Sequence, residues 1–202
     1  MAGCLEAVAG QDGVLRLTLT RTDGTRGYAP PLTGPSPRIL QFSPLPADVD
    51  QTALGRLHLC QLRLALQPAL AGVKHLNRLE QVLARAEWTD PQIHEGLLFD
   101  SEDRLISGIS SNIFLLRGAT LYTPRLDRCG VAGVARDRLM ARAPSLGYAV
   151  IVADLRRADL DLAEAVFLSN SVRGLRWVSA LEGRGWAQHP AFDRLQEALW
   201  AD

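Results

Sequence analysis

Among the 22 basic side chains of this 202-residue chain, 21 are arginine and one is lysine, Lys74. The guanidinium of Arg stays protonated in a protein, whereas a Lys amine can shed its proton and attack a carbonyl carbon. A GC-rich codon bias toward Arg, Ala, Leu and Gly would leave one Lys by chance. A chemical requirement for an amine would leave it at a site where Arg cannot serve. Lys74 lies in AGVKHLNRLEQ, at the end of an irregular segment and just before a helical pattern. Two further stretches have types and spacing suited to a site. Residues 130–136 (GVAGVAR) form a glycine-bearing loop opening a helix, where backbone N–H groups can cradle a phosphate. Residues 167–171 (FLSNS) form a strand that ends in hydroxyl and amide groups, able to bind an oxyanion or to cap a turn.

The remaining composition excludes several other chemistries. Basic and acidic side chains balance at 22 each, so no electrostatic footprint for nucleic acid or an anionic membrane is present. The three cysteines (Cys4, Cys60, Cys129) are widely spaced and lack a CxxC pair, which reads as reduced thiols in a cytoplasmic protein. His58, His75, His94 and His189 show no metal-ligand spacing, so no metal is expected. No apolar run approaches the roughly 20 residues that span a bilayer. The first residues lack a basic region followed by an apolar stretch, so no signal peptide is read there.

The elements that must position these groups follow from periodicity. Alternation marks strands at residues 14–21 and 38–42, flanking a Gly/Pro/Thr-rich loop, and a third strand at 58–66. Residues 77–88 place Leu79, Val82, Leu83 and Ala86 on one helical face, which predicts an amphipathic helix packed by that face. A strand at 95–100, a Ser-Glu-Asp turn, and a hairpin of 112–116 with 120–123 about Arg117-Gly118 come next. A helix over 134–143, a strand over 148–153, a short helix over 159–163 capped by Asp159, strands over 165–169 and 175–180, and a closing helix over 190–200 complete the pattern. Strands and helices mix without strict βαβ alternation, which predicts an α+β fold with a mixed or largely antiparallel sheet.

In order, KHLNRLE, SNIF, LYTP, GVAGVAR and FLSNS resemble the fold-type IV pyridoxal-phosphate enzymes, the group that holds branched-chain and D-amino-acid aminotransferases and aminodeoxychorismate lyases. Together with GVLRLTLTRTDGTRGYAP upstream, these segments look most like the lyase branch, and the resemblance runs from about Gly13 onward. It implies a lyase that converts 4-amino-4-deoxychorismate to 4-aminobenzoate and pyruvate in folate biosynthesis. An aminotransferase of the same fold and a non-catalytic homologue are the alternatives. It also implies pyridoxal 5'-phosphate as cofactor, a small-molecule substrate and a homodimer. The domains it implies are residues 1–45 as part of an N-terminal α/β domain, 46–57 as linker and 58–202 as the cofactor-binding domain.

By the same resemblance, Lys74 is the Schiff-base lysine and proton shuttle. Val134 and Ala135 offer N–H groups, and Ser171 a hydroxyl, to the cofactor phosphate. Arg26 and Tyr28 face substrate carboxylates, a task suited to the Arg fork. Arg78 and Asn77 lie near the cofactor or brace the helix. Two residues depart from the pattern. Ala135 stands where Thr is usual. Ser107 stands five residues before Asn112, where a Glu ordinarily holds the proton on the pyridine nitrogen, which weakens the ring as an electron sink. Glu102 and Asp103, in the neighbouring turn, are the carboxylates nearest in sequence. Relatives also carry a further segment before the part that matches; a misplaced start, a truncation and a short form each account for the difference.

Overall fold

The structure, a computed structural model, describes residues 6, 8–21, 27–29, 33–49 and 51–201. The chain divides into two compact units, Met1–Val49 and Asp50–Asp202. In the first, β1 (Gly13–Leu19) pairs antiparallel with β2 (Arg38–Pro44), with Leu15 opposite Phe42 and Leu17 opposite Leu40. Arg26 lies outside the described residues; Tyr28 is fully exposed.

The second unit is built on one nine-stranded mixed sheet. Its strands are β3 (Ala53–Leu64), β4 (Ile93–Asp100), β5 (Leu105–Gly108), β6 (Asn112–Arg117), β7 (Thr120–Pro124), β8 (Ala149–Ala153), β9 (Ala165–Asn170), β10 (Gly174–Leu181) and the two-residue β11 (Arg184–Gly185). They lie in the order β5-β4-β3-β10-β9-β6-β7-β8, with β11 on β10. β3 runs parallel to both β4 and β10, and β7 parallel to β8; the other pairs are antiparallel. The mixture agrees with the α+β expectation. β3 begins at Ala53, inside the stretch read as linker. β5 was not anticipated: four residues ending in Gly carry too little alternation to register alone.

Alternation along the central strands sends side chains to both faces of the sheet. Ile113 and Leu115 of β6, with Val166 and Leu168 of β9, enter a cluster that includes Leu160 of α3 (Arg157–Asp161). Phe114 and Leu116, with Ala165 and Phe167, enter another cluster beneath α2 (Val134–Arg142) and α4 (Ala191–Trp200). Asp159 serves α3 as the sequence suggested but from the third helical position, where its carboxylate accepts the Arg156 N–H at 2.7 Å.

α1 (Leu79–Arg85) departs from its prediction. Leu79, Val82 and Leu83, the face expected in the core, are 62%, 62% and 54% exposed. The helix is held instead through buried Ala84, joined by Trp88 just beyond it, in a cluster with Cys60, Leu64, Leu98, Ile106 and Cys129. Just past α1, Glu87 accepts the Gln61 and Leu62 N–H groups at 2.7 and 2.9 Å and bonds His58 Nε2 at 2.9 Å, where β3 slips register between Leu59 and Arg63. Burial pushes the Glu87 carboxyl up, but those N–H donors and His58 bring it below its ordinary value. The Glu87 oxygens are thus committed to closing an irregular strand, although Cys60 also lies close to them.

Candidate active site

A cavity of about 830 Å³ opens beside the sheet in the second unit. Its wall brings together Lys74, Asn77, Arg78, Ser107, Val134, Ala135 and Ser171, which are up to 97 residues apart in sequence. Tyr28 belongs to the first unit and Arg26 lies outside the described residues.

The Lys74 segment is irregular, yet its backbone is fixed on both sides. Gly72 forms a parallel bridge with Val131: its N–H donates to Gly130 O at 3.0 Å, and its carbonyl accepts the Ala132 N–H at 3.0 Å. Gly72 has φ +78°, a left-handed conformation that strains a residue carrying Cβ. Arg78 then closes the turn. Its Nε donates to His75 O at 3.0 Å and its Nη2 to Val73 O at 3.2 Å, so the guanidinium grips the carbonyls on either side of Lys74. Burial draws Arg78 below its ordinary pKa, against the pull of Glu80. These bonds brace the turn that carries Lys74, and Arg78 also lines the cavity.

The helix that follows the glycine loop is pinned from inside. Arg136 of α2 is buried and donates through Nε to Thr123 Oγ1 at 3.2 Å and through Nη2 to Pro124 O at 3.0 Å. Thr123 in turn donates to Ile113 O at 2.9 Å, tying helix, β7 and β6 together. At the helix entry, Asn112 Nδ2 donates to Val131 O at 2.8 Å, and Asn112 Oδ1 accepts the Gly133 N–H at 3.2 Å. A Cβ on Gly133 would lie 2.3 Å from that Oδ1, so the approach requires glycine. Gly133 is the N-cap and provides no side-chain acceptor, which leaves the first-turn amides of α2 to a ligand or to water.

β9 delivers the third part of the wall. Asn170 Oδ1 accepts the N–H groups of Val172 and Arg173 at 3.0 and 2.8 Å, which holds the turn bearing Ser171. Ser169, paired with Asn112 across the ladder, is 1% exposed, and its Oγ has no hydrogen-bond partner among the described residues. An orphaned buried hydroxyl in a cavity wall is a polar group prepared for an occupant. Lys74, Arg78 and Arg173 make the wall cationic. Its acidic side chain, Glu80, is occupied by the Ala65 N–H at 2.9 Å. The arrangement therefore combines an amine on a fixed backbone with a cationic, donor-rich pocket suited to an anionic, phosphate-bearing ligand.

Ser107 supplies a hydroxyl to the wall, but neither turn carboxylate reaches it. Glu102 pairs with Arg104 and Arg128, and Asp103 with Arg63. The carboxylate that does lie behind this wall is Glu95, which accepts hydrogen bonds from Ile109, Ser110 and Ser111. Ser169 and Glu95 were absent from the sequence-derived site. Ser169 had a signal, since it lies in FLSNS; Glu95 had none, because its partners are 14–16 residues downstream.

The amino-transferase class IV profile matches residues 2–181. The aminodeoxychorismate lyase of Vibrio harveyi is 36% identical over 170 residues, 83% of this chain and 62% of that protein. A putative branched-chain-amino-acid aminotransferase of Methanocaldococcus jannaschii is 26% identical over 174 residues, 86% of this chain and 60% of that one. The solved 4-amino-4-deoxychorismate lyase from Pseudomonas aeruginosa is 46% identical, with a TM-score of 0.88 over 98% of this chain and 73% of that chain. The match thus spans about three fifths of the length of these two curated relatives.

Proposed function

The chain belongs to the class IV aminotransferase family, and on that premise we propose that it is a pyridoxal-phosphate-dependent lyase that converts 4-amino-4-deoxychorismate to 4-aminobenzoate and pyruvate in folate biosynthesis. The observation that carries this reading is the lone Lys74, held at the wall of the same cavity as the uncapped start of α2. The residues suit the cofactor. The α2 amides with the orphaned Ser169 hydroxyl and Ser171 suit its phosphate, and Lys74 suits its aldehyde carbon. The greater identity to the Vibrio and Pseudomonas lyases than to the archaeal aminotransferase favours lyase chemistry.

When bound, pyridoxal phosphate would supply an electron sink beside the substrate nitrogen. The Lys74 amine attaches the cofactor at rest. The same amine would take the proton from C4 of the substrate ring and return one to the enolpyruvyl methylene as pyruvate departs. Arg78 fixes the backbone that carries Lys74 by gripping the carbonyls on either side of it. Val134 and Ala135 hold the phosphate through backbone N–H groups, Ala135 without the hydroxyl that Thr would add. Arg26 and Tyr28 orient the substrate carboxylates. Ser107 is a weaker partner for the ring nitrogen than a carboxylate. A lyase tolerates that weakness better than a transaminase, because aromatisation of the product ring drives the reaction.

The protein acts in the cytoplasm as a homodimer. Among the described residues no helix is long and apolar enough to cross a membrane. The exposed aliphatic side chains from Leu70 to Leu83, three of which line the cavity, suit coverage by a second copy. The test is an absorbance scan after adding cofactor, followed by a pyruvate assay. A visible-edge band that borohydride abolishes and that Lys74→Ala and Lys74→Arg lack supports the cofactor assignment. Pyruvate release from aminodeoxychorismate then supports the lyase. A keto acid formed from an amino acid in its place would establish the aminotransferase, and no band at all would establish a non-catalytic homologue.

A further inference from the structure

Glu95 is a buried carboxylate that the proposed chemistry leaves unused. It lies on β4, 9% exposed, directly behind the cavity wall formed by Ile109, Ser110 and Ser111. Its Oε1 accepts the Ile109 N–H at 3.1 Å and the Gly96 N–H at 3.3 Å. Its Oε2 accepts the hydroxyl of Ser110 at 2.7 Å and that of Ser111 at 3.2 Å. Gly108 permits this packing: a Cβ there would lie 3.1 and 3.2 Å from Glu95 Cγ and Cδ, and 2.3 Å from Ser111 Oγ.

The proton count of a hydroxyl gives these bonds a direction. Each serine has one O–H proton, and both protons are committed to Glu95. What Ser110 and Ser111 keep for the cavity is their lone pairs. A wall that would otherwise donate or accept is thereby set to accept, and the carboxylate behind it makes those oxygens better acceptors.

We propose that Glu95 is a positioning residue that fixes the 109–111 wall and sets Ser110 and Ser111 as acceptors facing the bound cofactor, so that the wall favours the protonated ring nitrogen although Ser107 carries no charge. The proposal rests on the pyridoxal-phosphate reading. The negative charge acts at one remove, through two serines, and is contributed by β4, not by β5.

The test compares the wild-type full chain with Glu95→Gln, with Ser110→Ala/Ser111→Ala, and with all three changes together. Glu95→Gln keeps the shape and replaces one accepting oxygen with a donating amide. Ring protonation is read from the 15N resonance of ring-labelled pyridoxal phosphate, and cofactor affinity from an absorbance titration. Expected in Glu95→Gln are a ring-nitrogen signal displaced toward the unprotonated position and binding weakened about tenfold. The serine pair reproduces the displacement, and adding Glu95→Gln to it changes little further. An unchanged 15N signal in Glu95→Gln overturns the proposal, as does a displacement that the serine pair does not share. Should Glu95→Gln fail to fold, the serine pair decides. Hydrogen exchange of residues 109–111 in the cofactor-free protein separates the two levels. Faster exchange in Glu95→Gln supports the positioning role, and unchanged exchange overturns it. Wild-type protein that binds no pyridoxal phosphate overturns the cofactor reading, and with it the acceptor role.

Discussion

α1 and α4 carry similar patterns and meet opposite fates. In α4, Ala191, Phe192, Leu195 and Leu199 recur at helical spacing and are at most 2% exposed, packed among Phe114, Phe167 and Leu175 of the sheet. In α1, Leu79, Val82 and Leu83 recur at the same spacing and remain more than half exposed, while Ala84 turns inward. Periodicity therefore states that a face is suited to cover; it does not state what covers it. One stripe found its partner within the chain. The other lies beside the cavity, just past the segment that carries Lys74, and is uncovered among the described residues.

That contrast can be broken at three strengths. Phe192→Ala empties a packed site and is expected to cost about 3–5 kcal/mol, read as a lower denaturant midpoint at unchanged slope. Ala84→Leu overfills the one inward position of α1 and is expected to cost about 1–3 kcal/mol by the same measurement. Leu79→Glu with Val82→Glu is expected to change the unfolding free energy of the isolated chain by no more than about 0.5 kcal/mol. The same pair should shift sedimentation velocity from dimer to monomer. A large stability loss in this last variant at a concentration where the wild type is monomeric would place the stripe in the chain's own core and end the comparison.

Legibility in the sequence follows the range of the interactions. β6, β7 and β9 were legible because their alternation and the Arg117-Gly118 turn are local properties. α2 was legible because Gly133 precedes a clean helical run. β5 was not, since four residues ending in Gly become a strand only once β4 supplies the ladder. The start of β3 was hidden for a similar reason: Ala53 and Leu54 pair with Trp177 and Val178, far downstream. At the site, Lys74 was visible by rarity and residues 130–136 by glycine spacing. Arg78 was visible as a residue but not as a clamp, because its acceptors are backbone carbonyls, which sequence does not distinguish. Glu95 had the type of a general acid and the position of an ordinary strand residue. Only the loop folded over it gives it a role.

The cluster beneath α1 holds two thiols, and burial pushes Cys60 up to about 12 and Cys129 up to about 11, from an ordinary 9.0. Both are therefore protonated and unreactive at neutral pH while the cluster stays closed. Because the folded values exceed the ordinary one, their protonated forms contribute full stability below about pH 9 and lose it as pH rises toward 11 and 12. These sulfurs form a built-in clock. An alkylating reagent at neutral pH marks Cys60 when the cluster beneath α1 opens, whereas Cys129 also lines the cavity, and peptide mass assigns each mark. Marking that outpaces global unfolding would time the loosening of the cavity's Lys74 side separately from the α4 side.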